Sequence, residues 1–240
     1  MSGHSKWSKV KHQKATTDVV KAAAFTKASH GITIAVREGG GVTSPDMNFR
    51  LRLAIEKARD VNMPKENIER AIAKGKGEGG AAIESILYEA YGPGGVALII
   101  ESATDNRQRS ASSIKNILDR VGGSLGGPGS VAFQFARSGV LVVEKTPQRS
   151  FDQIMEAAIS AGADDVIEAS DVFEIYTQGT HLSDVKKKLE EAGIEVSNAE
   201  IIMRPTTPIS VEGDIRAKIE ALEEHLEELE DVQRVYTNLQ

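Results

Sequence analysis

Apolar residues recur along the first third of the chain at helical spacing. Val20, Ala24, Lys27, Gly31 and Ala35 share one side of a helix predicted from Thr16 to about Arg37 and ended by Gly39-Gly-Gly41. A second helix is expected to enter at Ser44 as N-cap, with Pro45 at its first position and Asp46 near the positive end of its dipole. Its stripe reads Phe49, Leu53, Ala54, Ala58 and Val61, with Arg50, Arg52, Lys57 and Arg59 on other faces. A third helix starts at Pro64, turns Ile68, Ala71 and Ile72 inward and stops at Gly75. Gly75-Lys-Gly-Glu-Gly-Gly80 then reads as a hinge behind a small basic bundle.

Beyond the hinge the period changes. Ile86–Tyr91 and Val96–Ala103 read as strands around the turn Gly92-Pro-Gly-Gly95. A helix from about Arg107 to Val121 and a glycine-rich stretch, Gly122–Gly129, lead into an expected strand, Val131–Phe135. Residues 139–205 alternate as strand Val140–Val143, helix Phe151–Ala161 with Ile154, Ala158 and Ile159 inward, and strands Val166–Ala169 and Val172–Tyr176. A helix marked by Leu182, Val185, Leu189 and Ala192 and a strand at Ile201–Met203 complete them. This β-α-β-β-α-β order is the split-βαβ, ferredoxin-like arrangement.

The tail repeats Ile215, Ile219, Leu222, Leu226 and Leu229 opposite glutamates, then carries one short strand, Val232–Tyr236. One strand cannot satisfy its own backbone hydrogen bonds and must join an existing sheet. A coiled-coil seam is the alternative, but barely two heptads favour packing on the sheet. The expectation is an α+β protein: a basic helical bundle (1–79), then two ferredoxin-like α+β domains. The second (139–205) is inserted into the first (80–138 with 206–240).

Composition narrows the function. With 240 residues and 40% hydrophobic content a substantial core forms, and the absence of cysteine removes disulfides, thiolate metal sites and thiol nucleophiles. No apolar run is long enough for a membrane span, the start lacks a signal-peptide core, and Ser2 stands where myristoylation needs glycine. A cytoplasmic protein without membrane contact is expected. Charge is divided unevenly, with a net of +7 over Met1–Gly79 and −13 over Gly80–Gln240. The first fourteen residues concentrate Lys6, Lys9, Lys11 and Lys14 with His4, His12 and the single Trp7, and contain no carboxylate. Such a run favours a polyanionic partner, and its aromatic can stack on a base or plug the arm onto the bundle.

The nucleic-acid-binding candidates are therefore Lys6, Trp7, Lys9, Lys11, His12, Lys14, Lys21, Lys27 and Arg37, with Lys65, Arg107 and Arg109 as secondary contacts. Without a clear helix-turn-helix signature, phosphate-driven binding with modest base readout is the default. The acidic domains could meet a protein partner or stay solvated. His4, His12 and His30 lack carboxylate neighbours and ligand spacing, so no metal is expected. Gly122–Gly129 lacks the Lys-Ser/Thr of a P-loop and precedes a strand, which favours a turn over a phosphate cradle. In Thr104-Asp-Asn-Arg-Gln-Arg109, Asp105 or Asn106 caps the following helix. No catalytic constellation is evident, and no cofactor is implied; a metal-dependent nucleic-acid-processing enzyme would have to use Glu101 with Asp105.

Several motifs in one order resemble the YebC/PmpR family: Gly3-His-Ser-Lys-Trp7, Lys11-His12 and Lys14, Phe25-Thr-Lys27, Arg37-Glu-Gly-Gly40 and Arg50-Leu-Arg-Leu-Ala-Ile-Glu-Lys-Ala58. Asn62-Met-Pro-Lys65, Asn67-Ile-Glu-Arg-Ala-Ile72, Tyr91-Gly-Pro-Gly-Gly95, Thr104-Asp-Asn106 and Gly129-Ser-Val131 continue it. The resemblance implies a three-domain bacterial cytoplasmic protein, a DNA-binding regulator of transcription. Mitochondrial relatives are translational activators and some bacterial members are linked to the ribosome, so ribosomal RNA is the alternative partner, with relief of stalled translation as the alternative role. The missing transit peptide favours a bacterial member. Tyr88-Glu-Ala-Tyr91, Asn106-Arg-Gln-Arg-Ser110, Gly126-Gly-Pro-Gly129 and Ser44-Pro-Asp-Met-Asn-Phe49 depart mildly from the family's usual motifs.

Overall fold

The computed structural model describes residues 18–78 and 82–240, with side chains of the first helix described from residue 22 onward. The chain forms two compact units, Ala15–Phe135 with Pro205–Leu239, and Ala136–Arg204.

In the first unit, helices α1 (Asp18–Glu38), α2 (Phe49–Asp60) and α3 (Lys65–Gly75) enclose Ile32, Val36, Leu51, Ile55, Ala58, Met63, Ile68 and Ala71. The start of α2 differs from expectation. Its N-cap is Asn48, whose side-chain oxygen accepts from the Leu51 amide at 3.1 Å. The Asn48 Nδ2 donates to the carbonyls of Ala35 and Val42, so the cap also fixes the end of α1. Ser44 instead closes the preceding turn, its carbonyl accepting from the amides of Met47 and Asn48. The inward stripe is correspondingly Leu51, Ile55 and Ala58, and Val61 is exposed.

Four strands follow in the order β3-β1-β2-β8: β1 (Glu84–Tyr91), β2 (Ala97–Thr104), β3 (Ser124–Leu125) and β8 (Val232–Thr237). Helices α4 (Arg107–Arg120) and α7 (Gly213–Glu227) pack Ile114, Leu118, Ile219, Leu222 and Leu226 onto Leu98, Ile100 and Val235. The C-terminal strand thus joins the sheet, antiparallel to β2 with Leu98 opposite Thr237 and Ile100 opposite Val235. The hairpin strands β1 and β2 lie at the centre of this sheet, a variant of the ferredoxin-like order.

The expected strand at Val131–Phe135 is a short 3₁₀ turn, Ala132–Gln134, followed by β4 (Phe135–Glu144). The reason is a carboxylate. Glu89, 7% exposed, accepts from the amides of Gly129, Val131 and Ala132 at 2.6, 2.7 and 2.7 Å. Those donors are turned onto a side chain and cannot serve a strand ladder. The glycine-rich loop is accordingly a turn wrapped on an internal anion, and Tyr91 Oη holds it further by donating to the Ser130 carbonyl at 2.7 Å.

The second unit has the ferredoxin-like order β5-β6-β4-β7, with β5 (Asp165–Glu168), β6 (Val172–Gln178) and β7 (Asn198–Pro205) beside β4. Helix α5 (Phe151–Ala161) carries a full capping box, Ser150 with Gln153, and ends on Gly162 at φ 101°. Ile154 and Ala158 are buried, whereas Ile159 is 61% exposed and not inward as expected. Helix α6 (Leu182–Glu191) buries Leu182, Val185 and Leu189.

Asn238, 1% exposed, clasps the place where the chain leaves and re-enters the first unit. Its side-chain oxygen accepts from the Ala97 amide at 2.9 Å, and its Nδ2 donates to Gln134 Oε1 and the Thr207 carbonyl. Asn238→Ala leaves these buried partners unsatisfied. It should cost about 3 kcal/mol, read as a lower urea midpoint at unchanged m-value.

Candidate nucleic-acid interface

The structure distributes the sequence candidates unevenly. Lys6, Trp7, Lys9, Lys11, His12 and Lys14 lie outside the described residues, as does the side chain of Lys21. Lys27 is not turned to solvent: its ammonium donates to the Glu227 carbonyl at the last residue of α7. A cation there meets the negative end of a helix dipole. Burial, only partly offset by Glu227, holds the Lys27 ammonium below its ordinary pKa. Lys27 therefore locks α1 onto α7.

Arg37 is exposed, but its Nη1 donates to the Ile83 carbonyl at 2.8 Å. Lys65 lies 3.7 Å from Glu69, and Arg107 pairs with Glu84 at 2.6 Å. Arg109, expected to face an anionic partner, is engaged by Asp105 and Asp231, each at 3.0 Å. Helices α2 and α3 present exposed cations at Lys57, Arg59, Lys65 and Arg70.

Asp231, in the turn before β8, is the group sequence reasoning missed. Its carboxylate accepts from Arg109 and from Ser110 Oγ at 2.7 Å, and its carbonyl from the Ala103 amide and Ser102 Oγ, both at 2.7 Å. Nothing in the local pattern distinguishes this aspartate from the acids around it, because its partners come from β2 and α4. Asn106 does cap α4 as expected, accepting from the Arg109 amide at 3.1 Å.

Thr26, His30, Lys74, Arg109, Ser113 and Asp231 line a cleft of about 540 Å³ in this unit. His30 Nδ1 is buried there without a hydrogen-bond partner. Burial lowers the His30 pKa, Lys74 lowers it further, and Asp231, the Ala103 backbone and Asp105 oppose the shift. Among the described residues no group of three His, Cys, Asp or Glu is placed to hold a metal. Glu101 and Asp105 are drawn to different partners, Tyr236 and Arg109. Also among them, no helix is long and apolar enough to cross a membrane.

A basic three-helix segment docked on a sheet closed by the C-terminus, with a βαββαβ unit inserted, defines a multi-part α+β protein. Two family models match it: the "TACO1/YebC protein N-terminal domain" over residues 5–78 and the "TACO1/YebC second and third domain" over residues 83–239. The chain belongs to the TACO1/YebC family. It is 50% identical over 242 residues to a "Probable transcriptional regulatory protein" of Chloroflexus aggregans, covering 100% of this chain and 95% of that one. It is 46% identical over 241 residues to a protein of the same description from Thermoanaerobacter pseudethanolicus, covering 100% and 97%. A crystal structure of a conserved hypothetical protein from Aquifex aeolicus matches with a TM-score of 0.87 at 39% identity, over 98% of this chain and 97% of that chain.

Lys27→Ala should lower stability by about 1–2 kcal/mol, because the Glu227 carbonyl loses its donor. It should leave the salt dependence of nucleic-acid binding unchanged, as measured by fluorescence anisotropy. His30 gives a pH dependence of the opposite sense to a paired histidine. With its folded pKa lowered, its contribution is complete above the ordinary value near 6.5 and is lost as pH falls below that value towards the folded one. The urea midpoint should therefore fall between pH 7 and pH 5, and His30→Gln should flatten that fall.

Proposed function

We propose that this chain is a non-enzymatic nucleic-acid-binding regulator, which binds DNA through its basic N-terminal segment and controls transcription. The observation that carries this reading is the division of charge. Lys6, Lys9, Lys11 and Lys14 stand in a segment without a carboxylate, on a chain whose remainder beyond Gly79 has a net charge of −13. Lysines that close repel one another until phosphates replace their counterions, and the acidic body limits adhesion elsewhere. The relatives' descriptions as transcriptional regulatory proteins support the same role.

The internal engagement of Lys27 narrows the contact set, whereas Arg107 and Arg109 pair with Glu84 and Asp231 at the surface. The segment ending at Lys14, continued by Lys21, carries the phosphate contacts, and Arg37 and Lys65 are secondary to them. Trp7 adds stacking to these contacts. In this reading residues 1–79 are the binding part. Residues 80–138 with 206–240 form its support, and 139–205 a separate module for regulation.

Anisotropy titrations over about 50 to 200 mM salt test it with duplex DNA and with ribosomal RNA fragments of matched length. Replacing Lys9, Lys11 and Lys14 by Ala should flatten the plot of log affinity against log salt by about 0.9 per lost contact on duplex DNA. An unchanged slope rejects the segment as the binding site. Much tighter binding to ribosomal RNA than to DNA reassigns the same lysines to translation.

A further inference from the structure

The cleft lined from α1, α3, α4 and the turn before β8 contains donors that the fold leaves unused. Its volume of about 540 Å³ lies within the roughly 300–1,000 Å³ of small-molecule sites. Two of its carboxylates are already engaged. Asp231 accepts from Arg109 and from Ser110 Oγ, and Asp105 accepts from Arg109. Glu230, the third acid of the lining, is exposed. The donors are less fully taken. Lys74, half-buried in the last turn of α3, has no hydrogen bond or ion pair among the described residues. Arg109 directs Nε and Nη2 at the two aspartates, which leaves its Nη1 without a partner among those residues. The hydroxyl of Ser113, one turn further along α4, is also without one there.

His30 of α1 adds a separate observation from the same cleft. Its Nδ1 is buried without a hydrogen-bond partner. Burial and then Lys74 hold the imidazole below its ordinary pKa, against the pull of Asp231, the Ala103 backbone and Asp105. A neutral imidazole therefore stands near an ammonium that has no counter-charge. An anion placed between these groups pairs with Lys74 and removes the repulsion that disfavours a proton on His30.

We propose that this cleft binds a small phosphate ester, its phosphate held by Lys74, Arg109 Nη1 and Ser113 Oγ. Binding then draws a proton from solvent onto His30. A phosphate monoester suits the donor set because it carries a charge of about −1.5 to −2 at pH 7 and three acceptor oxygens. A carboxylate offers half that charge on two oxygens. A nucleic-acid backbone is the poorer ligand, since the net charge of −13 beyond Gly79 opposes the approach of a polyanion to this part of the chain. The site is independent of the lysine-rich segment, and its ligand ties α3 to α4 and stabilises the unit by mass action.

Selective ¹³C labelling of histidine in the full-length protein reads the site directly. His30 is separated there from His4, His12, His181 and His225, and His30→Gln assigns its signal. Inorganic phosphate and adenosine monophosphate, each titrated at constant ionic strength, should move the His30 signal saturably towards its protonated position and raise its titration midpoint by about 1 pH unit. Lys74→Gln should start from a higher midpoint and bind both anions at least about tenfold more weakly. Lys65→Gln, at the other end of α3, should change neither, and nor should replacement of Lys9, Lys11 and Lys14 by Ala. A His30 signal that stays still, or that responds with unchanged affinity in Lys74→Gln, overturns the site. Short duplex DNA that moves His30 as strongly as the nucleotide, in the variant lacking the three lysines, overturns the choice of a small ester. None of these results touches the salt slope that tests nucleic-acid binding by the basic segment.

Discussion

The pairing of β8 with β2 is the constraint on which the first unit depends. A lone C-terminal strand has no local way to satisfy its amides and carbonyls, so the chain must return to a sheet begun more than a hundred residues earlier. That return is fastened at both ends of the strand. Asp231 precedes β8 and bonds the end of β2 and the start of α4, and Asn238 follows it and bonds the start of β2. Between them Val232 and Val235 are fully buried in the core that α4 and α7 share.

The helical segment inherits its position from this closure. Lys27 reaches the last carbonyl of α7, and Gly31 lies where a side chain would approach Gln233 of β8. A lysine that reads as a phosphate ligand in the linear pattern is thus used as a helix cap. The same reassignment befell Arg107 and Arg109, whose carboxylate partners come from β1 and from the turn before β8. Cations useful to a polyanion also pair with the protein's own carboxylates once folding has brought these within about 3 Å.

Glu89 shows the converse. Burial alone would raise its pKa, yet the amides of Val131, Gly129 and Ala132 overcome that and hold it below the ordinary carboxylate range. Its charge converts a predicted strand into a 3₁₀ turn and keeps the glycine-rich loop closed on the protein's own carboxylate. Architecture therefore claims a share of the charged residues. Those held between elements fix the turns and seams, as Glu89, Lys27 and Asp231 do.

Much of the architecture was legible in the chain. The periods of Ile154, Ala158, Leu182, Val185 and Leu189 placed the inserted βαββαβ unit, and the unpartnered strand at 232–236 required a return to an earlier sheet. The failures were local contests decided from afar. Ser44 lost the cap of α2 to Asn48 because only Asn48 could also reach Ala35 and Val42. Val131–Phe135 lost its strand because Glu89 claimed the amides. Sequence alone determined the periodicity, the charge division and the lysine-rich segment, since these depend on neighbours along the chain. Tertiary structure decided which cations remain available and which acids are structural, because a charge is satisfied by whatever lies within a few ångströms, and distance in space is not written in the order of residues.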